Sequence, residues 1–261
     1  MRQERYSSRR RRRRGRAGAM AVSVLIFIAA VVLVVLIIKF VPAGGVQETV
    51  DEPQVSEGIS EAETEAAVLD IDPEDWRLML VNDANPLPSG YTPKLSTLPN
   101  GLEFDSRAID DLNKMIAGAK EDGYTLVICS AYRSVAYQSE LFQQQVQKQQ
   151  SQGNLDYEDA VAAAKTVVTY PGCSEHNLGL AADIVCEAYQ LLDEGFAKRD
   201  EAKWLKAHCA EYGFILRYPA DKLDETGVIY ESWHFRYVGQ EAAAYIMGNN
   251  LCLEEYLALA G

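Results

Sequence analysis

The sequence predicts an α+β domain held behind a single N-terminal membrane-spanning helix. Three observations carry that expectation. Candidate strands and helices mix across residues 74–261 with neither a repeated βαβ unit nor an internal repeat. An apolar run from Ala19 to Ile38, interrupted only by Ser23, follows directly on an arginine block. An acidic stretch poor in large apolar groups lies between the two.

Charge divides the 261-residue chain. Of the formal net charge of −13, residues 1–41 contribute +9 (nine Arg and one Lys against Glu4), which leaves −22 for the rest. So acidic a remainder lacks the basic surface that nucleic-acid binding needs, and no nucleic-acid partner is expected; the arginines of the tail are better explained by the apolar span beside them. The apolar run is about 20 residues long, and at ~1.5 Å per residue a helix of that length crosses a hydrocarbon core of ~30 Å. Arg9 to Arg14 and Arg16 precede it and stay on the cytoplasmic side, so the chain beyond Lys39 lies outside the cell membrane. The expected organisation is a basic cytoplasmic tail (1–18), a single-pass anchor (19–41), a disordered acidic linker (42–73) and an extracytoplasmic domain (74–261). A cleaved signal peptide is the competing reading. It calls for a shorter apolar core, and Ala43-Gly44-Gly45 would be its cleavage site. Residues 42–73 are charged and lack aromatics, so burial cannot offset the entropy of ordering them.

Order should begin near Trp76. Leu78 to Val81 reads as a short buried strand, closed by the turn-rich Asn82-Asp83-Ala84-Asn85-Pro86. Asp105 or Ser106 is placed to cap a helix whose apolar positions Ile109, Leu112, Met115, Ile116 and Ala119 follow the 3.6-residue period, with Gly123 as its stop. Tyr124 to Cys129 is β-rich and reads as a central strand. Helices are expected over 134–150, over 156–168 with Asp156 as cap, and over 201–212, ended by Gly213. Strands are expected at Ala181–Cys186, 214–218 and 228–238, with two short helices after Gly239 and Asn250.

Only three histidines occur in the chain, and two sit in distinctive company. His176 lies in Ser174-Glu175-His176-Asn177-Leu178-Gly179-Leu180-Ala181-Ala182-Asp183, and His234 in Glu231-Ser232-Trp233-His234-Phe235-Arg236-Tyr237. Two imidazoles and one carboxylate form a common catalytic zinc set that leaves a fourth position for water. His176, Asp183 and His234 are the predicted ligands, and Glu231 is the predicted general base for the attacking water. The Gly-containing segment between His176 and Asp183 can fold back so that both meet one ion. In an ideal strand Glu231 and His234, three apart, would point to opposite faces. A bend or bulge near Ser232 is therefore expected. His208 has no motif around it and reads as an ordinary surface or core residue.

These segments resemble the VanY-type family of D-alanyl-D-alanine carboxypeptidases. The family pattern Ser-x-His-x-x-Gly-x-Ala-x-Asp fits Ser174 to Asp183. Glu-x-Trp-His-x-Arg-Tyr-Val-Gly fits Glu231 to Gly239. Ser-x-Tyr-Arg-Ser fits Ser130, Tyr132, Arg133 and Ser134, with the family's Gln at Gln138. The resemblance covers roughly residues 74–250. It implies a small, mostly antiparallel sheet flanked by helices, with Zn2+ in a cleft on His176, Asp183 and His234 and catalysis by Glu231. It also implies that Arg133 polarises the scissile carbonyl, and that Ser174, Gln138, Tyr132 and Trp233 bind substrate. Gln138 lies in a Gln-rich helix, where a solvated face is the competing reading. The main departures are Cys173, Cys129 and Ser232, the last at a position where the family often has Pro.

The implied activity is zinc-dependent removal of the terminal D-Ala from peptidoglycan stem peptides at the outer face of the membrane. An L,D-carboxypeptidase, a D,D-dipeptidase or a wall endopeptidase would use the same site. A non-catalytic, zinc-bearing module that binds wall peptides is the rival from another class, since the Hedgehog signalling domain resembles this fold. Five cysteines follow the membrane segment, and an extracytoplasmic location permits a disulfide among Cys129, Cys173, Cys186 and Cys209.

Overall fold

A computed structural model describes residues 71, 72 and 74–259. The expected tail, anchor and nearly all of the linker lie outside these residues. Among the described residues, no helix is long and apolar enough to cross a membrane.

The first regular elements among the described residues are the strands of a two-stranded antiparallel hairpin, β1 (Leu95–Thr97) and β2 (Glu103–Asp105). Helix α1 (Ile109–Glu121) then buries Leu112, Met115 and Ala119, the stripe that the 3.6-residue period marks. Strand β3 (Leu126–Ser130) leads into a helical hairpin of α2 (Val135–Gly153) and α3 (Tyr157–Lys165). Both helices start on side-chain caps. Ser134 accepts from the amide of Tyr137, and Asp156 from that of Asp159, which satisfies otherwise orphaned N–H groups. Phe142, Val146, Ala160 and Ala164 form a small core between them.

After a 3-10 turn at Glu175–Leu178 comes β4 (Ala181–Cys186). It is followed by α4 (Asp200–His208), β5 (Phe214–Leu216), α5 (Leu223–Thr226), β6 (His234–Tyr237), α6 (Gln240–Gly248) and α7 (Leu253–Ala258). The main sheet has the order β3-β4-β6-β5, antiparallel throughout. The α+β expectation and its small antiparallel sheet are therefore observed.

Strand alternation divides the sheet into two faces. Ala182, Phe235 and Leu216 are register partners and join Phe104, Leu112, Met115 and Phe214 in the principal core. Burying a phenylalanine this fully is worth about 1.5–3 kcal/mol. Ile215, by contrast, packs in a second cluster with Val238, Ala243, Ile246 and Leu253. Its register partner on β6 is Arg236, and the Asp183–His234 pair lies two positions along β6 from Arg236 on the same face.

Several local expectations are corrected. Leu78 and Val81 are buried, but residues 78–81 form no strand, because that segment pairs with no neighbouring strand. The 124–129 segment supplies an edge strand; β4 and β6 take the centre. Neither Asp105 nor Ser106 caps α1. Ala108 occupies the cap without a side-chain bond, and Asp105 is buried and committed to Arg107. The 228–238 strand shrinks to β6, because a turn occupies Ser232–Trp233 and the amide of His234 donates back to the carbonyl of Glu231. That turn is the irregularity expected near Ser232. All five cysteines are unpaired thiols, so no disulfide forms among Cys129, Cys173, Cys186 and Cys209.

Candidate metal centre and active-site cleft

Two central strands and one turn build the site. Asp183 of β4 and His234 of β6 are direct register partners, which sets their side chains side by side. His176 arrives from the 3-10 turn, which Gly179 closes at φ 79°. An added Cβ at Gly179 would sit 3.0 Å from Leu95 Cδ2, so both the left-handed backbone and the close approach favour glycine there. The fold-back between His176 and Asp183 depends on this residue.

The ligand atoms of His176, Asp183 and His234 all lie within 4.8 Å of one another, and all three residues are buried. Asp183 Oδ1 is 3.4 Å from His176 Nε2 and 3.1 Å from His234 Nδ1. The other ring nitrogen of His176, Nδ1, donates to the carbonyl of Ala131 at 2.6 Å, which leaves the Nε2 lone pair facing the cluster. Two imidazole nitrogens and a carboxylate oxygen suit a borderline divalent cation such as zinc. His234 turns its Nδ1 to the same cluster, 3.1 Å from Asp183 Oδ1. The residues fit the ion.

Electrostatics agree with a cation at this point. Burial, assisted by the charge of Arg133, pushes the His176 imidazole down to about 4, so it is a neutral ligand at neutral pH. Burial alone would raise Asp183, but His176 and Arg133 outweigh it and hold the carboxyl well below its ordinary value. Burial likewise works against a charged His234, yet Asp183 and Glu175 pull its imidazole up to about 9. A ring that holds a proton between carboxylates marks a place that stabilises positive charge. Glu231 lies 3.7 Å from His234 Nδ1, and burial raises its carboxyl to about 8.

A cleft of about 370 Å³ opens over this cluster. Arg133, Gln138, Ser174, Glu231 and Trp233 all line it alongside the three ligand candidates. Arg133 is fixed on three sides. Its guanidinium pairs with Asp183 Oδ2, donates to Ser130 Oγ at 2.8 Å and reaches Gln138 Oε1 at 3.5 Å. Gln138 is 1% exposed and donates to the carbonyl of Thr169 at 2.9 Å, so it does not belong to a solvated helix face. Tyr132 is the one expected substrate contact that does not line the cleft; its amide donates to the carbonyl of Glu103 on β2. His208 is peripheral, stacked on Trp204 and bonded to Glu211.

Sequence reasoning passes over several lining residues. Tyr218, 5% exposed, places its ring 4.9 Å from that of His234. Leu141, Gln144, Gln145 and Lys148 extend the wall along α2. Their spacing from Gln138 on one helix face is the only sign of them in the sequence.

The family described as VanY, D-alanyl-D-alanine carboxypeptidase, matches residues 101–240. The chain belongs to the VanY family. A D-alanyl-D-alanine carboxypeptidase of Enterococcus faecalis is 40% identical over 186 residues, which span 71% of this chain and 67% of that one. Two solved VanY structures share a TM-score of 0.65 and 40% identity with this chain. One is a mutant of the vancomycin-resistance D,D-pentapeptidase VanY from a VanB-type cassette in complex with Zn(II), matched over 70% of this chain and 99% of that one. The other is VanYB in complex with D-alanine-D-alanine, matched over 70% and 98%. The LD-carboxypeptidase LdcB aligns with TM-score 0.60 and 37% identity over 69% of this chain and 84% of that one. The stretch that matches the VanY family contains all three ligand candidates, Glu231 and Arg133.

Proposed function

We propose that this chain is a zinc-dependent D-alanyl-D-alanine carboxypeptidase that removes the terminal D-Ala of peptidoglycan stem peptides. The observation that carries the proposal is the convergence of His176, Asp183 and His234 in a cleft that Glu231 and Arg133 also line. A relative that holds Zn(II) and one that holds D-alanine-D-alanine support the choice of metal and substrate.

His176 Nε2, Asp183 Oδ1 and His234 Nδ1 would hold the ion. Zinc bound there supplies Lewis acidity, which acidifies water and polarises a carbonyl. Glu231, buried at the cleft wall, takes the proton of the attacking water and later delivers it to the leaving D-alanine amine. Its raised affinity for protons suits the second half of that task, and a bound cation shifts it toward the base the first half needs. Arg133, immobilised by Asp183 and Ser130, aims a fixed positive charge at the carbonyl oxygen as negative charge develops. Ser174, Gln138 and Trp233 contact the bound peptide.

The apolar run 19–38 behind its arginine block supports a single-pass anchor, with the domain from about residue 74 outside the membrane and residues 42–73 as a spacer. That location puts the cleft where stem peptides are.

The likeness to LdcB favours one second reading, cleavage of a tetrapeptide stem at its L,D bond. Incubating the zinc-loaded protein with pentapeptide and tetrapeptide stems and weighing the products separates the two. Loss of one D-Ala from the pentapeptide alone supports the proposal. Cleavage of the tetrapeptide alone transfers the chain to the L,D class, and binding without product makes it a non-catalytic module.

A further inference from the structure

The mechanism above gives no task to Glu175, whose side chain is completely buried beside the metal set. Its Oε1 accepts from two guanidiniums, Arg217 Nε at 2.7 Å and Arg236 Nη1 at 2.8 Å. Its Oε2 accepts from no donor within hydrogen-bond distance, and His234 Nε2 is likewise buried without a partner. These two atoms are 3.7 Å apart. An acceptor lacking a donor thus faces a ring nitrogen lacking an acceptor.

A structural counter-ion for the arginines would not look like this. Glu254 shows the alternative within the same network, since it takes Arg217 with both oxygens, at 2.8 and 2.6 Å. Glu175 serves both arginines with one oxygen and keeps the other turned to His234. The arginines in turn are anchored away from the cleft, Arg236 through the carbonyls of Arg77 and Met79. They hold the Glu175 carboxylate in one orientation.

His234 can present a lone pair at Nδ1 only when its proton sits on Nε2. For His176 the equivalent choice is made by the carbonyl of Ala131. We propose that Glu175 is a positioning residue that accepts the Nε2 proton of His234 and so fixes the tautomer that offers Nδ1 to the metal. The ring is thereby oriented from behind, in the manner of carboxylate–histidine–metal triads. This inference rests on reading His176, Asp183 and His234 as the zinc site.

Glu175→Gln is a directed test. The two arginines can only donate, so they hold the amide oxygen and turn the amide N–H group toward His234 Nε2. That geometry selects the opposite tautomer, with the proton on Nδ1. In the full chain, competition with a chromophoric chelator should show zinc affinity in E175Q about 10–100-fold below wild type. Nitrogen-15 NMR of the wild-type protein loaded with cadmium should show the metal on His234 Nδ1 and a slowly exchanging proton on Nε2. Wild-type affinity in a folded E175Q, or metal on Nε2, overturns the inference while leaving the zinc site standing. Failure of the wild type to bind zinc overturns both. If E175Q does not fold, the wild-type spectrum decides.

Discussion

The carboxylate of Glu231 stands 3.7 Å from Nδ1 of His234, three residues further along the chain, because a turn at Ser232–Trp233 brings both side chains to one side. One short segment thus delivers a candidate ligand and the proposed proton acceptor to the same point. Glu231→Gln keeps the shape and removes the base. It should bind zinc at wild-type stoichiometry while turnover falls by about 10²–10⁴-fold. Metal analysis together with a D-alanine release assay checks this, and retained turnover removes Glu231 from the mechanism.

His176→Ala and Asp183→Ala each remove a proposed ligand. Purified variants should carry far less zinc than wild type, and added chelator should lower the melting temperature of the wild type but not theirs. Full metal occupancy in either variant would refute the ligand set.

Arg133 is held by Asp183, Ser130 and Gln138 at the cleft wall. Arg133→Met should reduce kcat by about 10²–10³-fold with a smaller effect on KM, as expected for a charge used mainly in the transition state. An effect confined to KM would make it a binding group only.

The cleft follows α2 from Gln138 to Lys148. At ~1.5 Å per helical residue that wall is ~15 Å long, room for about four to five extended peptide residues at ~3.3 Å each. A stem pentapeptide should therefore outperform an acylated D-Ala-D-Ala dipeptide in kcat/KM by about 10-fold or more, since remote contacts can be spent on the reaction. The paired substitution of Gln144 and Lys148 by Ala should erase that advantage and leave dipeptide turnover unchanged.

Burial raises the thiol of Cys209 to about 12; Cys129 is an exposed residue, but partial desolvation of its sulfur, which donates to the carbonyl of Asp183, and the nearby Asp183 charge raise it to about 11. A raised value means the thiol form persists, so the reactive thiolate is scarce at pH 8. Native protein should react slowly with a thiol reagent at that pH, and denatured, unreduced protein should release five equivalents. Three equivalents would restore a disulfide.

The legible part of this molecule was chemical and local. Scarce histidines in dense motifs point to the His176–Asp183–His234 cluster, and the Glu231–His234 spacing demands the bend at Ser232. Helices with a capped start, such as those behind Ser134 and Asp156, were also readable. Long-range pairing was not. The 124–129 segment looks central because it is apolar, yet strand position depends on partners far away in the chain. The β1–β2 hairpin carries a turn signal at Asn100-Gly101, but its three-residue strands are too short to show alternation. Glu175 meets Arg217 across 42 residues and Arg236 across 61, a separation that no local pattern reveals. Tyr218 enters the cleft only because β5 and β6 pair.

Zinc add-back tests the central claim most directly. Metal-free protein would be titrated with zinc in the presence of a stem pentapeptide, and D-alanine release followed by mass spectrometry. Activity should rise from near zero and level off at one zinc per chain, with the tetrapeptide as product. Full release without zinc, or an intact pentapeptide after one zinc has bound, would contradict the account.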